Sequence, residues 1–351
     1  MRVLAALLFL LEPSHAASVC GPIRALVRAA AQQQKIPAIS AAIVQNSRVA
    51  CSISLGWADL EQRVPNTPSS LHRLASLSKP VTAVLTMKLV EEKKLALDDS
   101  ARRFLPALPD GYDGVTLRRL LCHQSGIREY ANPDEVFSAK HYAGLHDALA
   151  IFVGSPLLFP PGSKTAYTTY GYTLLGAVLE QVTGERFDQL IRKELSGFLV
   201  DDFNAVIPGR VRPYRSKSDG TWENAPAFDP SNKYPGGGLL SSAEEYAKFL
   251  IAVSSGRIIR RESVTEMWTQ QRLSDGSTVP FATLGWATGM RNGHRFFTHG
   301  GLQPGTTTVM HIFPDLRTGS VILCNAEGPA LDRLQESILD LLVTGTGEST
   351  R

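Results

Sequence analysis

A serine followed three residues later by a lysine, Ser76-Leu77-Ser78-Lys79, is the stretch of this chain best suited to covalent chemistry. Downstream, Val81, Val84, Leu85 and Leu89 recur at helical spacing. Pro80 is tolerated only in a first helical turn, where backbone N–H groups lack intrahelical partners anyway. The helix therefore starts near Ser76, and Ser76 and Lys79 share one face, one turn apart. A hydroxyl is a weak nucleophile until a base takes its proton, and a lysine amine one turn away is within reach. The helix start adds free N–H groups and a positive partial charge that suit a developing oxyanion. A second proton carrier is needed for the leaving group. Tyr167 sits where a loop meets a helix, and a lysine cation beside a phenol favours the phenolate form. Tyr170 and Tyr172 compete with it at the same helix start. Phe296-Phe-Thr-His299-Gly300-Gly301 is a strand edge that breaks into glycines, where a backbone approaches a ligand closely. Leu302 there offers a second oxyanion N–H.

Other chemistries find less support. Ser78 is a rival nucleophile without a lysine three residues on. No Gly-x-Ser-x-Gly elbow occurs, and the glycine run Gly236-Gly-Gly238 is not followed by Lys-Ser/Thr, so it is no phosphate loop. No His-Glu-x-x-His occurs, His141 and His146 would not share a helix face, and the cysteines lack Cys-x-x-Cys spacing. No metal and no cofactor is therefore expected. Ser218-Asp-Gly and Ser274-Asp-Gly read as turns. His123 reads as a structural, hydrogen-bonded histidine.

The elements around these residues change character along the chain. Pro22 to Gln34 reads as a helix, and Ala38–Gln45 and Arg48–Asp59 as two strands joined at Asn46-Ser47. Residues 76 to about 200 are mainly helical. Thr116 to Gly126, Leu145 to Val153 and Tyr170 to Thr183 are each expected as helices, the last stopped by Gly184. Residues 201–235 are loop-rich, and Ser241 or Ser242 caps a helix reaching Val253. Ser263 to Gln271 reads as a further helix. Strands return over 284–290, 294–299, 306–313 and 320–325, and Leu331 to Leu342 is amphipathic. Strands at both ends with helices between imply an α+β fold. It has an antiparallel β-sheet flanked by helices, built from about 20–75 and 235–345, with an inserted, mainly helical lobe over about 76–234. The cleft between the lobes is the expected site.

The 36 Lys and Arg residues nearly balance 33 Asp and Glu without long runs of one sign, which argues against nucleic acid as a partner. Met1-Arg2, the apolar run Val3–Leu11 and the small residues Ser14 and Ala16 describe a secretory signal peptide over 1–16, cleaved near Ala16 or Ala17. A periplasmic or secreted location follows, with no transmembrane segment after cleavage. Export permits disulfides among Cys20, Cys51, Cys122 and Cys324, but Cys51, Cys122 and Cys324 have apolar neighbours and are expected as small core residues. The tail 345–351 is expected to be disordered.

These pieces, in this order, resemble the penicillin-recognising serine hydrolases: class C β-lactamases, DD-peptidases and β-lactamase-fold esterases. The matching segments are Leu74–Lys79, Thr116–Gly126, Pro160-Pro-Gly162 with Tyr167, Gly171–Gly176, Gly236–Ser242 and His299–Gly301. The resemblance implies a metal-free serine hydrolase acting on ester, amide, peptide or β-lactam bonds. It makes Ser76 the acylated nucleophile and Lys79 its base, or the electrostatic partner of that base. Tyr167 shuttles the proton, and Ser76 and Leu302 supply the oxyanion N–H pair. Thr169, His299, Gly300 and Gly301 face the substrate. Thr169 stands where the family has Asn, His299 where it has Lys, and Gly300 where it has a hydroxyl residue. All three changes fall on antibiotic recognition and imply weak β-lactamase activity, with His299 a cation that titrates near neutrality. The alternative is a non-catalytic penicillin- or peptide-binding sensor on the same fold.

Overall fold

The computed structural model describes residues 16–279 and 282–344. Residues 1–15 of the leader expected over 1–16 and the tail 345–351 lie outside the described residues. A seven-stranded sheet is built from both ends of the chain. Its strands are β1 (Ala38–Gln45), β2 (Arg48–Asp59), β3 (Val64–Pro65), β4 (Ala287–Arg291), β5 (His294–Gln303), β6 (Thr306–Phe313) and β7 (Thr318–Cys324). The spatial order is β3-β2-β1-β7-β6-β5-β4, with every pairing antiparallel. β1 and β2 have the expected limits because Asn46 and Ser47 both take positive φ, +52° and +57°, the geometry of a tight hairpin turn.

Helices cover both faces of the sheet. Ile39, Ala41 and Ile43 pack with α1 (Ala16–Gln33) and α6 (Asp332–Thr344), while Ala42 and Val44 point to the opposite face and the larger core. That second face carries α5 (Ala243–Ser254), capped by Ser242 Oγ accepting from Glu245 N at 3.1 Å. The central strands β1, β6 and β7 are therefore buried on both sides, as a sheet sandwiched between helices requires.

α1 begins earlier than the sequence suggests and runs through Pro22. A proline inside a helix removes one backbone bond. A disulfide from Cys20 to Cys51 on β2 holds this first stretch, so Cys51 is cross-linked rather than a free core residue. Cys122 and Cys324 are free and buried, as expected. A bridge closing 31 residues lowers the entropy of the unfolded chain by an equivalent of about 3–4 kcal/mol. Cys51→Ala, read by thermal melting without reductant, is expected to lower Tm by several degrees. Adding dithiothreitol should bring the wild type to the same value.

Between β3 and β4 the longest elements are helices, joined by loops and short strands. α2 (Ser78–Glu91) follows a 3₁₀ turn, Ala75–Leu77, that carries Ser76. Instead of presenting one apolar stripe, α2 is buried on all sides from Ser78 to Met87. Its hydroxyls stay satisfied inside the protein: Thr82 donates to Pro235 O and Thr86 to Thr82 O. α3 (Leu117–Leu121) ends five residues before Gly126 because His123 turns left-handed, at φ +61°. α4 (Thr169–Thr183) is capped by Thr168 and stopped by Gly184 at φ +70°. The other two expected helices are shorter or shifted: Leu145–Ala148 passes into a 3₁₀ turn, and Arg261–Trp268 replaces 263–271. Among the described residues no helix is long and apolar enough to cross a membrane.

Candidate active site

Ser76 projects from a strained turn. Ala75, just before it, has φ +48°, a conformation a β-carbon disfavours. Hydrogen bonds from several elements hold that conformation. Ser78 Oγ donates to Ala75 O at 2.7 Å, Thr308 Oγ1 on β6 to Leu74 O at 2.9 Å, and Tyr246 Oη on α5 to Leu77 O at 2.9 Å. Ser78 Oγ also accepts from Leu239 N, and the side chain is fully buried. This rival serine is therefore occupied as a brace.

Lys79 is completely buried, and its Nζ makes three contacts. It donates to Gly236 O at 2.7 Å, Ser76 Oγ at 3.2 Å and Thr169 Oγ1 at 3.4 Å. The ammonium also lies over the rings of Tyr167 and Tyr172, 4.6 and 5.4 Å from their centroids. Among the described residues no carboxylate pairs with it, so the charge is held by carbonyl and hydroxyl dipoles and ring faces. Gly236 can reach it because it has no side chain: a Cβ there would come within 2.8 Å of Thr169 Cγ2. The glycine run thus brings a backbone acceptor up to the lysine. A carbonyl acceptor leaves no residue-type signature, so nothing in the sequence marks it. Thr169, expected to face substrate, is buried, with its hydroxyl turned to Lys79. Its N–H is taken by the Glu129 carboxylate, a second partner that residue spacing does not reveal.

Tyr167 Oη lies 2.6 Å from Ser76 Oγ, across 91 residues of sequence. The competing tyrosines are spoken for: Tyr170 Oη donates to Glu135 and Tyr172 Oη to Leu121 O, and both rings are buried. His123 fixes Tyr167 from below. Its carbonyl accepts from Ala166 N at 2.9 Å and its Nδ1 from Thr168 N at 3.2 Å, and its ring centroid is 4.4 Å from that of Tyr167. A backbone N–H can only donate, so His123 is neutral with its proton on Nε2. Desolvation, reinforced by the Lys79 charge, holds its pKa well below the ordinary value. The expected structural histidine is thus a clamp on the tyrosine loop.

The fourth wall is β5. Gly301 passes so close to the serine turn that a Cβ would come within 2.7 Å of Leu74 O and 2.3 Å of Thr308 Oγ1. Gly300 is open, with nothing near a Cβ. Gln303 pairs with Thr306 across a two-residue turn, and Leu302 pairs with Thr307. In such a ladder alternate residues turn N–H and C=O away from the partner strand, and Leu302 is one of these. Among the described residues no backbone carbonyl takes the Ser76 N–H either. His299 is half-buried near Tyr167, with ring centroids 6.4 Å apart. Desolvation first, then the Lys79 charge, pushes its pKa down to about 4. It is therefore neutral at physiological pH, unlike the near-neutral titration expected from its type.

Ser76, Lys79 and Tyr167 thus meet at one point, bordered by His299, Gly300, Gly301 and Leu302, on a sheet wrapped in helices. Fold and site together define a serine hydrolase of the penicillin-recognising architecture. The chain belongs to the Beta-lactamase family, whose model matches residues 23–344. It is similar to the human mitochondrial serine beta-lactamase-like protein LACTB, with 24% identity over 80% of this chain and 69% of that protein. It is also similar to penicillin-binding protein 4* of Bacillus subtilis, with 28% identity over 78% of this chain and 65% of that protein. Among solved structures, the D-amino acid amidase of Ochrobactrum anthropi superposes with a TM-score of 0.80 at 21% identity, over 95% of this chain and 100% of that one.

Proposed function

We propose that this protein is an exported hydrolase that cleaves ester or amide bonds through an acyl-enzyme on Ser76. The observation that carries the reading is the contact of Ser76 Oγ with both Tyr167 Oη and Lys79 Nζ. The Ser76 proton passes into the Tyr167–Lys79 pair as Oγ attacks the carbonyl carbon. The oxyanion settles between the Ser76 and Leu302 N–H groups. Tyr167 then gives the proton to the departing oxygen or nitrogen as its bond to carbon breaks. Water repeats the sequence and frees the serine. The helical lobe over 76–234 supplies the nucleophile, lysine and tyrosine, and the sheet lobe supplies the second oxyanion N–H.

Activity on an amide or peptide is supported by the amidase and penicillin-binding relatives. Strong β-lactamase activity is not expected, since neither Thr169 nor the neutral His299 offers the contacts the family uses for antibiotics. Export is supported by the basic-then-apolar N-terminus and by the Cys20–Cys51 bridge, which persists in an oxidising compartment. A fluorophosphonate probe is expected to label the wild type at Ser76. An unlabelled protein would overturn the hydrolase reading and favour a binding role.

The state of His299 sets a pH dependence. Its pKa lies below the ordinary value, so the ring is deprotonated, and carries no charge for an anionic substrate, throughout the neutral range. KM for anionic esters is therefore expected to stay flat between about pH 5 and 8, improving only as pH falls toward the histidine's own pKa. A KM rising steadily through about pH 6–7 would contradict this.

A further inference from the structure

A cavity of about 320 Å³ opens beside the catalytic group, walled by Leu121, Cys122, Trp286 and Ala287 and bounded by Tyr167, His123 and His299. Its described lining holds no lysine, arginine, aspartate or glutamate. Hydrogen bonding fixes the two histidines in complementary forms. His123 accepts at Nδ1 from Thr168 N–H and so presents Nε2–H. His299 places Nδ1 2.6 Å from Gly300 O, which can only accept, so Nδ1 carries the proton and Nε2 presents a lone pair. Among the described residues neither Nε2 has a protein partner, and neither is a buried, unsatisfied atom. The lining is thus mostly apolar, with the two Nε2 atoms offering one donor and one acceptor and no charged side chain in the described lining itself.

Which part of the substrate it takes follows from Tyr167. The leaving oxygen or nitrogen must collect its proton from a group in contact with Ser76, and Tyr167 Oη is that group. The same tyrosine is a wall of the cavity, so a group attached to the leaving atom has room to extend into it. We propose that this cavity is the subsite for the departing alcohol or amine, and that it selects an uncharged aryl or branched alkyl group over one bearing a carboxylate. The assignment rests on acylation of Ser76 through Tyr167. A carboxylate entering here would be desolvated with no cationic side chain in the lining to pair with, which is the costly way to bury an anion. A volume near 320 Å³ is ample for a substituted phenyl ring.

The test holds the acyl group constant. Phenyl acetate, 3-acetoxybenzoate and the methyl ester of 3-acetoxybenzoate all yield the same acetyl-enzyme, so only the leaving group varies. The expected kcat/KM for phenyl acetate and the methyl ester is at least about tenfold above that for the free carboxylate. Equal values, or a preference for the carboxylate, overturn the proposal. In Ala287→Phe, the loss in kcat/KM is expected to grow from methyl to phenyl to 2-naphthyl acetate, reaching about tenfold. A loss that instead grows with acyl length, from phenyl acetate to phenyl octanoate, overturns it by placing the acyl chain in the cavity. Mass analysis separates the two levels of failure. No acetyl group on Ser76 with any ester overturns the acyl-enzyme reading itself. Acetylated Ser76 without leaving-group discrimination overturns only the assignment of the cavity.

Discussion

Ser76→Ala is expected to lower kcat on p-nitrophenyl acetate by about 10⁴-fold or more, leaving only what the oxyanion donors and binding supply. The fold should not change. The Ser76 hydroxyl supports no backbone: its contacts are Tyr167, which is 47% exposed, and Lys79, which keeps Gly236 O and Thr169 Oγ1. The turn is braced by Ser78, Thr308 and Tyr246, none of which is touched. Tm is therefore expected to stay within about a degree of wild type, since the substitution meets none of the usual routes to large destabilisation. An active Ser76→Ala protein, or one that has lost its fold, would contradict the account.

Lys79→Met carries the second large effect. The substitution keeps the length of the side chain but removes the ammonium that touches Ser76 Oγ and lies over the Tyr167 ring. Attack by Ser76 then lacks the positive charge that lies beside its Oγ and the Tyr167 ring while the serine proton is transferred. A loss in kcat of about 10³-fold is expected, in the range of a missing general base or preorganised charge. Stability should move little. The variant leaves Gly236 O without its strongest donor but also removes a fully buried charge that has no carboxylate partner, and these effects oppose each other. Thermal melting against kcat separates this from a structural role. A Lys79→Met protein that melts near wild type yet is catalytically dead places the lysine in the chemistry. One retaining more than about a tenth of wild-type kcat would remove it.

The one-turn relation of Ser76 to Lys79 was legible because a proline and a helical apolar stripe fix where the helix can begin. The limits of β1 and β2 were legible from alternation and a two-residue turn. The choice of Tyr167 over Tyr170 and Tyr172 was not readable from spacing. It depends on burial and on the hydroxyl partners Glu135 and Leu121, which only the folded chain supplies. Without the family resemblance the three tyrosines remain equivalent. The grip of His123 on Ala166 and Thr168 spans more than forty residues and uses a backbone carbonyl and a left-handed turn, neither of which marks a sequence. The acceptor at Gly236 is hidden for the same reason. Residue type gives His299 the ordinary pKa, whereas burial beside a lysine sets the actual one. Cys51 reads as a core residue because its neighbours are apolar, but the first turns of α1 bring Cys20 to it.

The claim on which the rest depends is that a substrate carbonyl becomes bonded to the Ser76 oxygen. Rapid acid quenching of the protein with p-nitrophenyl acetate, followed by peptide mapping in a mass spectrometer, reads this directly. The account predicts one acetyl group on the peptide containing Ser76, absent from the Ser76→Ala protein. Turnover of the ester with the Ser76 peptide unmodified at every quench time, or the acetyl group on another residue, would contradict it.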